Sequence, residues 1–326
     1  MEKIFSEIHK RKPASVAING PDGILPQVQD AAEEIMQRFG IPAYVMADTT
    51  WGTCDINTAG ASTLAADLLF NVGHTVAIAG FGDGVVLVDA FDDIRFDGVA
   101  AKCIKMLQGK TVSLLTDSQH LHRIRDVQRI LEQGGVGVEV GRGKGQLDDG
   151  QIFGCEFYPA MEKRETVDAN LFLGQSNFHA AGVALATGLP TYVLDPYFNE
   201  VREVSDFAAK LQRRAVLAIY KAAEAESFGI IVGLKEGQLS KSMALRFRRD
   251  LEKEGKRVQL FALTDITNER LRNLKGVDAF IQVACPRIST DNRFDMPVLS
   301  TPQGMALLRV LRGESIDGFL QIPHWL

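Results

Sequence analysis

The sequence predicts an α/β protein made of three similar Rossmann-like domains with parallel sheets, set around a pseudo-threefold axis. Three observations lead there. A chain of 326 residues exceeds the roughly 250–300 at which a single core stops growing. Apolar strand-like runs alternate with amphipathic helical segments from end to end, the pattern of parallel sheets covered on both faces. Each third also carries one cysteine in a loop near strand ends: Cys54, Cys155 and Cys285. The domains are placed at residues 1–108, 109–212 and 213–326.

The first third opens with a basic helix-like segment to Lys12, then a strand at Ser15 to Gly20 and a turn through Gly23. The spacing of Ile24, Val28, Ala31, Ala32, Ile35 and Phe39 predicts an amphipathic helix ending at Gly40. A strand at Ala43 to Asp48 leads into TTWGTCD with Cys54, and a helix is expected from about Ile56 to Phe70, then a strand at Thr75 to Gly80. Gly80 to Gly84 lacks the spacing of a dinucleotide fingerprint and reads as a hairpin-like turn. A strand VVLVDAF and a helix from about Asp97 to Leu107 close the unit.

The second third repeats the scheme with a strand at Thr111 to Thr116, a helix from about His120 to Gln133 and a strand VGVEVG ending at Gly141. Gly141 to Gly145, with Arg142 and Lys144, reads as a mobile solvated loop, and QIFGC then delivers Cys155. Strands at Ala169 to Gly174 and Thr191 to Asp195 flank QSNFHAAGVALATG, and a long helix is expected from about Glu200 to Glu226. The last third offers a strand at Phe228 to Leu234, an arginine-rich helix from about Ser240 to Glu254 and the strand RVQLFAL. A short helix after Thr264-Asp265, the strand AFIQVAC, PVLSTPQ and a helix near Met305 to Leu311 follow. The apolar tail ending Pro323 to Leu326 is a reasonable dimer contact.

Composition narrows the function. A net charge of -5 and a pI near 5.8 argue against a general nucleic-acid binder. The amino-terminal segment is charged and no helix-length apolar run follows, so neither a secretory signal nor a membrane span is expected, and the cytoplasm is the expected compartment. Structural disulfides are unfavoured there, which leaves burial, metal ligation or catalysis for the four cysteines. Cys103 stands at helical spacing with Val99 and Leu107 and reads as a packed core thiol. Cys285 ends the run AFIQVA, where Pro286 denies the next ladder hydrogen bond; alone it is either a small buried hydrophobe or a thiol within reach of chemistry at a sheet's carboxyl edge. No CxxC pair is present, so a shared metal site would have to be assembled by the fold. Three thiolates suit zinc with a fourth ligand, or an iron-sulfur cubane with one iron left open.

The words around these cysteines are specific. DTTWGTCD at Cys54, FGCEF at Cys155 and QVACPRIS at Cys285 resemble the 2-(3-amino-3-carboxypropyl)histidine synthase family, archaeal enzymes of the first step of diphthamide synthesis. The segments Leu171 to Tyr197 and Ala225 to Gln238 share that resemblance, which covers nearly the whole chain in order. It implies that Cys54, Cys155 and Cys285 together hold a [4Fe-4S] cluster with S-adenosylmethionine beside it. It also implies a 3-amino-3-carboxypropyl radical that adds to C2 of a histidine imidazole in elongation factor 2, releasing methylthioadenosine, in a homodimer served by an electron donor. His179, Asp195, Gln238 and Arg287 are the candidate contacts to the co-substrate: His179 is a ligand or proton-transfer group or a capping or packing histidine, Asp195 binds the amino group or ends its strand, and Arg287 forms a guanidinium–carboxylate fork or a surface salt bridge. Trp51, Phe153 and Phe157 are either a wall that excludes water or ordinary core. Two stretches depart from the family pattern, GLKEGQ and QSNFH, which bears on Gln238 and Gln175. The alternatives are a quinolinate synthase-like cluster enzyme, a clusterless partner subunit and a small-molecule-binding module.

Overall fold

Thirteen strands in three sheets carry the described residues of a computed structural model, residues 2–50, 52–73, 76 and 82–326. Trp51, the expected strand at Thr75 to Gly80 apart from Val76, and Phe81 of the glycine turn lie outside them. The chain divides into two compact units, residues 1–92 with 235–237, and residues 93–234 with 238–326.

The first unit contains α1 (Glu2–Arg11), β1 (Val16–Asn19), α2 (Leu25–Phe39), β2 (Ala43–Met46), α3 (Thr58–Thr63), β3 (Leu68–Val72) and β4 (Val85–Val88). Its sheet is parallel in the order β2-β1-β3-β4. The apolar stripe of α2 buries Val28, Ala31, Ala32 and Ile35 against Val16, Ile18 and Phe70, and Gly40 in the left-handed region ends the helix. The sequence predicts a helix from about Ile56 to Phe70. Instead α3 stops at Thr63, Ala65 takes a φ of 50°, and Leu68–Val72 form a buried strand. The run LLFNV is buried on both faces, with Asn71 the one polar residue among four apolar ones, so periodicity alone does not separate strand from helix there.

The second unit begins with α4 (Asp97–Leu107), β5 (Thr111–Thr116), α5 (Ile124–Gln133), β6 (Gly137–Glu139), α6 (Tyr158–Lys163), β7 (Ala169–Leu173), α7 (Asn177–Thr187), β8 (Thr191–Asp195), β9 (Glu200–Glu203) and α8 (Ser205–Ala223). It continues with β10 (Ser227–Gly233), α9 (Lys241–Lys253), β11 (Arg257–Leu263), α10 (Asn268–Arg272), β12 (Ala279–Gln282), α11 (Pro286–Asp291), β13 (Val298–Leu299) and α12 (Thr301–Leu311). One sheet runs β6-β5-β7-β8-β9, the other β11-β10-β12-β13. All three sheets therefore share one order, with the first strand of each third lying between its second and third. Only β9, on β8, is antiparallel.

Two details depart from expectation. The long helix begins at Ser205 because Glu200–Glu203 pair with β8, a short charged edge strand with no apolar signal to announce it. The glycine loop after β6 is anchored: Arg142 N–H donates to Glu162 at 2.5 Å and the Lys144 ammonium lies 4.3 Å from the Tyr158 ring centroid. Helix α4 packs in the core of the second sheet, where Val99, Cys103 and Leu107 meet Leu114, Leu171 and Leu194. The core between the second and third sheets is continuous through α7, α8 and α12, with Phe157, Phe172, Phe228, Phe247 and Ile281 fully buried. Each such side chain contributes about 1.5–3 kcal/mol by leaving water.

Candidate metal centre

In the first unit, Cys54 occupies the middle of a short 3-10 turn, Thr53–Asp55, after β2. The approach to it is fixed by polar groups at the ends of β1 and β3: Thr50 Oγ1 donates to Asn19 Oδ1 at 2.9 Å, and Asn19 Nδ2 to Asn71 Oδ1 at 2.8 Å. Cys54 is half-buried between buried Thr53 and Asp55. Lys235 Nζ donates to Asp55 Oδ2 at 2.6 Å, and the Thr58 hydroxyl donates to Glu236. Burial raises the Glu236 carboxyl above its ordinary pKa. A side-chain carbon on Gly237 would stand 2.4 Å from Cys54 Cα, so glycine alone lets this backbone lie against the cysteine.

In the second unit, Cys155 lies in a tight reversal in which Phe153 and Glu156 exchange backbone hydrogen bonds at 3.0 and 3.3 Å. The chain's tail locks that reversal. Trp325 N–H donates to the Cys155 carbonyl at 2.9 Å, Phe157 N–H to the Pro323 carbonyl at 2.8 Å, and His324 pairs with Glu156. The Trp325 ring packs edge-on against Phe157 with centroids 4.9 Å apart and is only 3% exposed. Its apolar surface is thus committed within its own chain, while Pro323, His324 and Leu326 of the same tail stay partly exposed. Phe157 is likewise core, while Phe153 is half-buried.

Cys285 follows β12 and is the N-cap residue of α11, with Pro286 at the first helical position. The proline read as a strand stop is also a helix start. Fully buried Gln282 shapes this corner: its Nε2 donates to the Cys285 carbonyl at 2.9 Å and to Ser289 Oγ at 3.1 Å, and its Oε1 accepts from Ala284 N–H at 2.9 Å.

The Cys155 and Cys285 segments meet on one side chain, Phe178 of α7. A side-chain carbon on Gly154 would fall 1.9 Å from the Phe178 ring, and the Arg287 guanidinium lies 4.7 Å from the centroid of the same ring. Two half-buried thiols, one residue from Gly154 and two from Arg287, are therefore drawn to one region at the carboxyl ends of two parallel sheets. Cys103 contrasts with them. It is fully buried and its thiol is pushed up to about 12 by burial, as expected of a core residue.

The remaining candidates fall around α7 and the strand ends. His179 donates its backbone N–H to the Ser176 N-cap at 3.2 Å and stacks its ring on Phe172 at 5.8 Å. Asp195 is buried at the end of β8; its Oδ1 accepts from the N–H groups of Tyr197 and Phe198 at 3.0 and 3.2 Å, and its Oδ2 from Arg202 at 2.8 Å. Arg202 also donates to the Gln175 carbonyl at 2.6 Å and to Asn177 Oδ1 at 2.8 Å, so Asp195 holds the residue that ties β9 to the start of α7. Gln238 is 5% exposed at the end of the turn after β10, and Gln175 is exposed. Sequence reasoning missed Phe178, Gln282 and Lys235, and did not connect Trp325 with Cys155. Glycines beside the site, in FGC and KEGQ, were the available signal for close approach.

Among the described residues no group of three or more His, Cys, Asp and Glu stands at the spacing of a single-ion site. The thiolates of a cubane are farther apart than the ligands of one ion, and soft thiolate is the donor that iron-sulfur clusters take. Backbone packed tightly beside Cys54 in the first unit and beside Cys155 in the second, with Gln282 fixing the corner of Cys285, holds each thiol in place rather than on a loose loop, and each is a donor of the kind that fits a cluster.

Repeated parallel layers with half-buried cysteines in loops off their strands define a multidomain α/β protein with soft-metal donors. The chain belongs to the diphthamide synthesis protein family, whose model matches residues 20–316. It is 27% identical over 317 residues to the 2-(3-amino-3-carboxypropyl)histidine synthase of Pyrococcus horikoshii, covering 96% of this chain and 90% of that one. It is 30% identical over 329 residues to subunit 1 of the synthase of Schizosaccharomyces pombe, covering 97% and 74%. The crystal structure of Dph2 from Pyrococcus horikoshii with a 4Fe-4S cluster superposes with a TM-score of 0.86 at 27% identity, over 99% of this chain and 94% of that chain.

Proposed function

We propose that this protein performs the first step of diphthamide synthesis, transferring the 3-amino-3-carboxypropyl group of S-adenosylmethionine to C2 of a histidine imidazole in elongation factor 2. The observation that carries this reading is the convergence of the Cys155 and Cys285 segments on Phe178, in a chain similar to a protein crystallised with a 4Fe-4S cluster. Cys54, Cys155 and Cys285 hold the cluster, and Cys103 does not. When bound, the cluster would supply one electron to cleave the sulfur to γ-carbon bond of S-adenosylmethionine, releasing methylthioadenosine; the carbon fragment then takes the place of the imidazole C2 hydrogen, which leaves as a proton while one electron is returned.

The chain's own residues bind and orient. Arg287, steadied by cation–π contact with Phe178, offers a guanidinium fork to the methionine carboxylate. His179 and Gln238 are polar contacts to the co-substrate, and Asp195 acts through Arg202, which fixes the start of α7. Holding the scissile bond in one geometry replaces a random encounter with a positioned one. The active species is a homodimer, reduced by an electron donor and working in the cytoplasm on its protein substrate; among the described residues no helix is long and apolar enough to cross a membrane.

Anaerobic reconstitution with iron and sulfide tests the proposal. A brown protein with stoichiometric iron that converts S-adenosylmethionine to methylthioadenosine after reduction is expected. A colourless, iron-free chain would sink the cluster assignment. Deoxyadenosine as the product would indicate the other carbon–sulfur cleavage.

A further inference from the structure

Three consecutive residues of the first unit, Lys235, Glu236 and Gly237, each meet the Cys54 turn, although about 180 positions separate them in sequence. Lys235 bonds Asp55, the residue after the cysteine; Glu236 accepts from Thr58; Gly237 lies against Cys54 itself. The Lys235 and Asp55 side chains are 13% and 11% exposed, so the pair is largely withdrawn from water. Sequestered ion pairs are weak stabilisers because desolvation opposes their attraction, and their better-attested use is to fix one arrangement among several. In the pairs of Lys163 with Glu139 and Glu162 and of Lys256 with Glu226 the carboxylate side chains are 32%, 39% and 73% exposed.

We infer that Lys235 is a positioning residue for the metal centre: through Asp55 it fixes the turn that presents Cys54, and its charge offsets the carboxylate next to that thiolate. The inference deepens the proposed function and rests on it for the cluster, while its positional half concerns the metal-free chain as well. Removing one positive charge from beside a cluster disfavours the added electron, so loss of Lys235 alone moves the potential downward, and removing the Asp55 charge with it moves the potential back. Exchange of the turn's amides reports its local opening.

Two measurements on the full chain test this, with Lys235→Met, Lys235→Arg and the double variant Lys235→Met with Asp55→Asn. Hydrogen exchange of the metal-free proteins is expected to quicken several-fold over residues 52–58 in Lys235→Met, to stay near wild type in Lys235→Arg, and to be unchanged around Cys155 and Cys285. Unchanged exchange at residues 52–58, or equal acceleration everywhere, would overturn the positioning role. In reconstituted protein, spectroscopic redox titration is expected to give a more negative midpoint for Lys235→Met and recovery toward wild type in the double variant. An unshifted midpoint in Lys235→Met at full iron content would overturn the charge role. Should wild type bind no cluster, the proposed function fails, and the exchange measurement still decides the positioning role.

Discussion

Four cysteines of identical chemistry are separated by their surroundings. Cys103 is sealed in apolar core with its thiol pushed up to about 12, whereas Cys54, Cys155 and Cys285 are half-buried in turns. Cys103→Ser should leave iron content unchanged and lower stability by about 1–3 kcal/mol, the cost of burying a hydroxyl in an apolar core. Serine at any of the other three should remove iron with a smaller effect on the unfolding midpoint of the metal-free chain; parallel denaturant titrations and iron assays check both. Asp117, at the carboxyl end of β5, gives a pH signature. Burial raises its carboxyl from 3.8 to about 6, against the hydrogen bond it accepts from Gln119 N–H at 3.1 Å. The folded state therefore holds this proton more tightly than the unfolded chain, and its contribution to stability is lost as pH rises from about 4 to about 6. Asp117→Asn, which keeps an acceptor for that N–H, should be more stable than wild type by about 3 kcal/mol near neutrality and come close to it near pH 4. Equal stabilities of the two proteins at both pH values would contradict the shift.

At the scale of elements, short segments do most to place the site, and they are where the sequence was hardest to read. Amphipathic helices were legible because their periodicity is a direct image of burial, as in α2, and β7 was legible as a short buried run ended by Gly174. The strand Leu68–Val72 was not, because it is buried on both faces and its one polar residue, Asn71, breaks no period, and β9 was not, because three of its four residues are charged. Helix α12 starts four residues earlier than expected, although Ser300 and Gln303 form a capping box that the sequence displays. The cysteines were legible from their words, but their supports were not, since Phe178 and Trp325 act through contacts with distant residues. Two substitutions probe those supports. Gly154→Ala places a carbon 1.9 Å from the Phe178 ring and should cost about 1–3 kcal/mol while lowering iron retention. Trp325→Ala should cost about 3–5 kcal/mol by opening the packing on Phe157 and should loosen the Cys155 reversal, seen as faster exchange of its amides. Wild-type stability and iron content in both variants would show that neither contact supports the site.

The whole molecule repeats one strand order three times, yet its cysteines do not occupy equivalent places. Cys54 and Cys155 follow the second strand of their sheets, and Cys285 follows the third. The likeness of the sheets therefore supplies equivalent carboxyl edges, and local insertions such as the loop between β6 and α6 bring the thiols to them. A ligand that binds the folded chain and not the unfolded one raises stability by its binding free energy, so a cluster shared by all three cysteines should act as a single unit of stabilisation. Reconstituted wild type should melt above the metal-free protein, and Cys54→Ala, Cys155→Ala and Cys285→Ala should each abolish the whole increment rather than a third of it. Calorimetry under anaerobic conditions, with iron measured on the same samples, separates the outcomes. Graded losses, or a variant that keeps both its iron and its increment, would mean that one of the three cysteines lies outside the site.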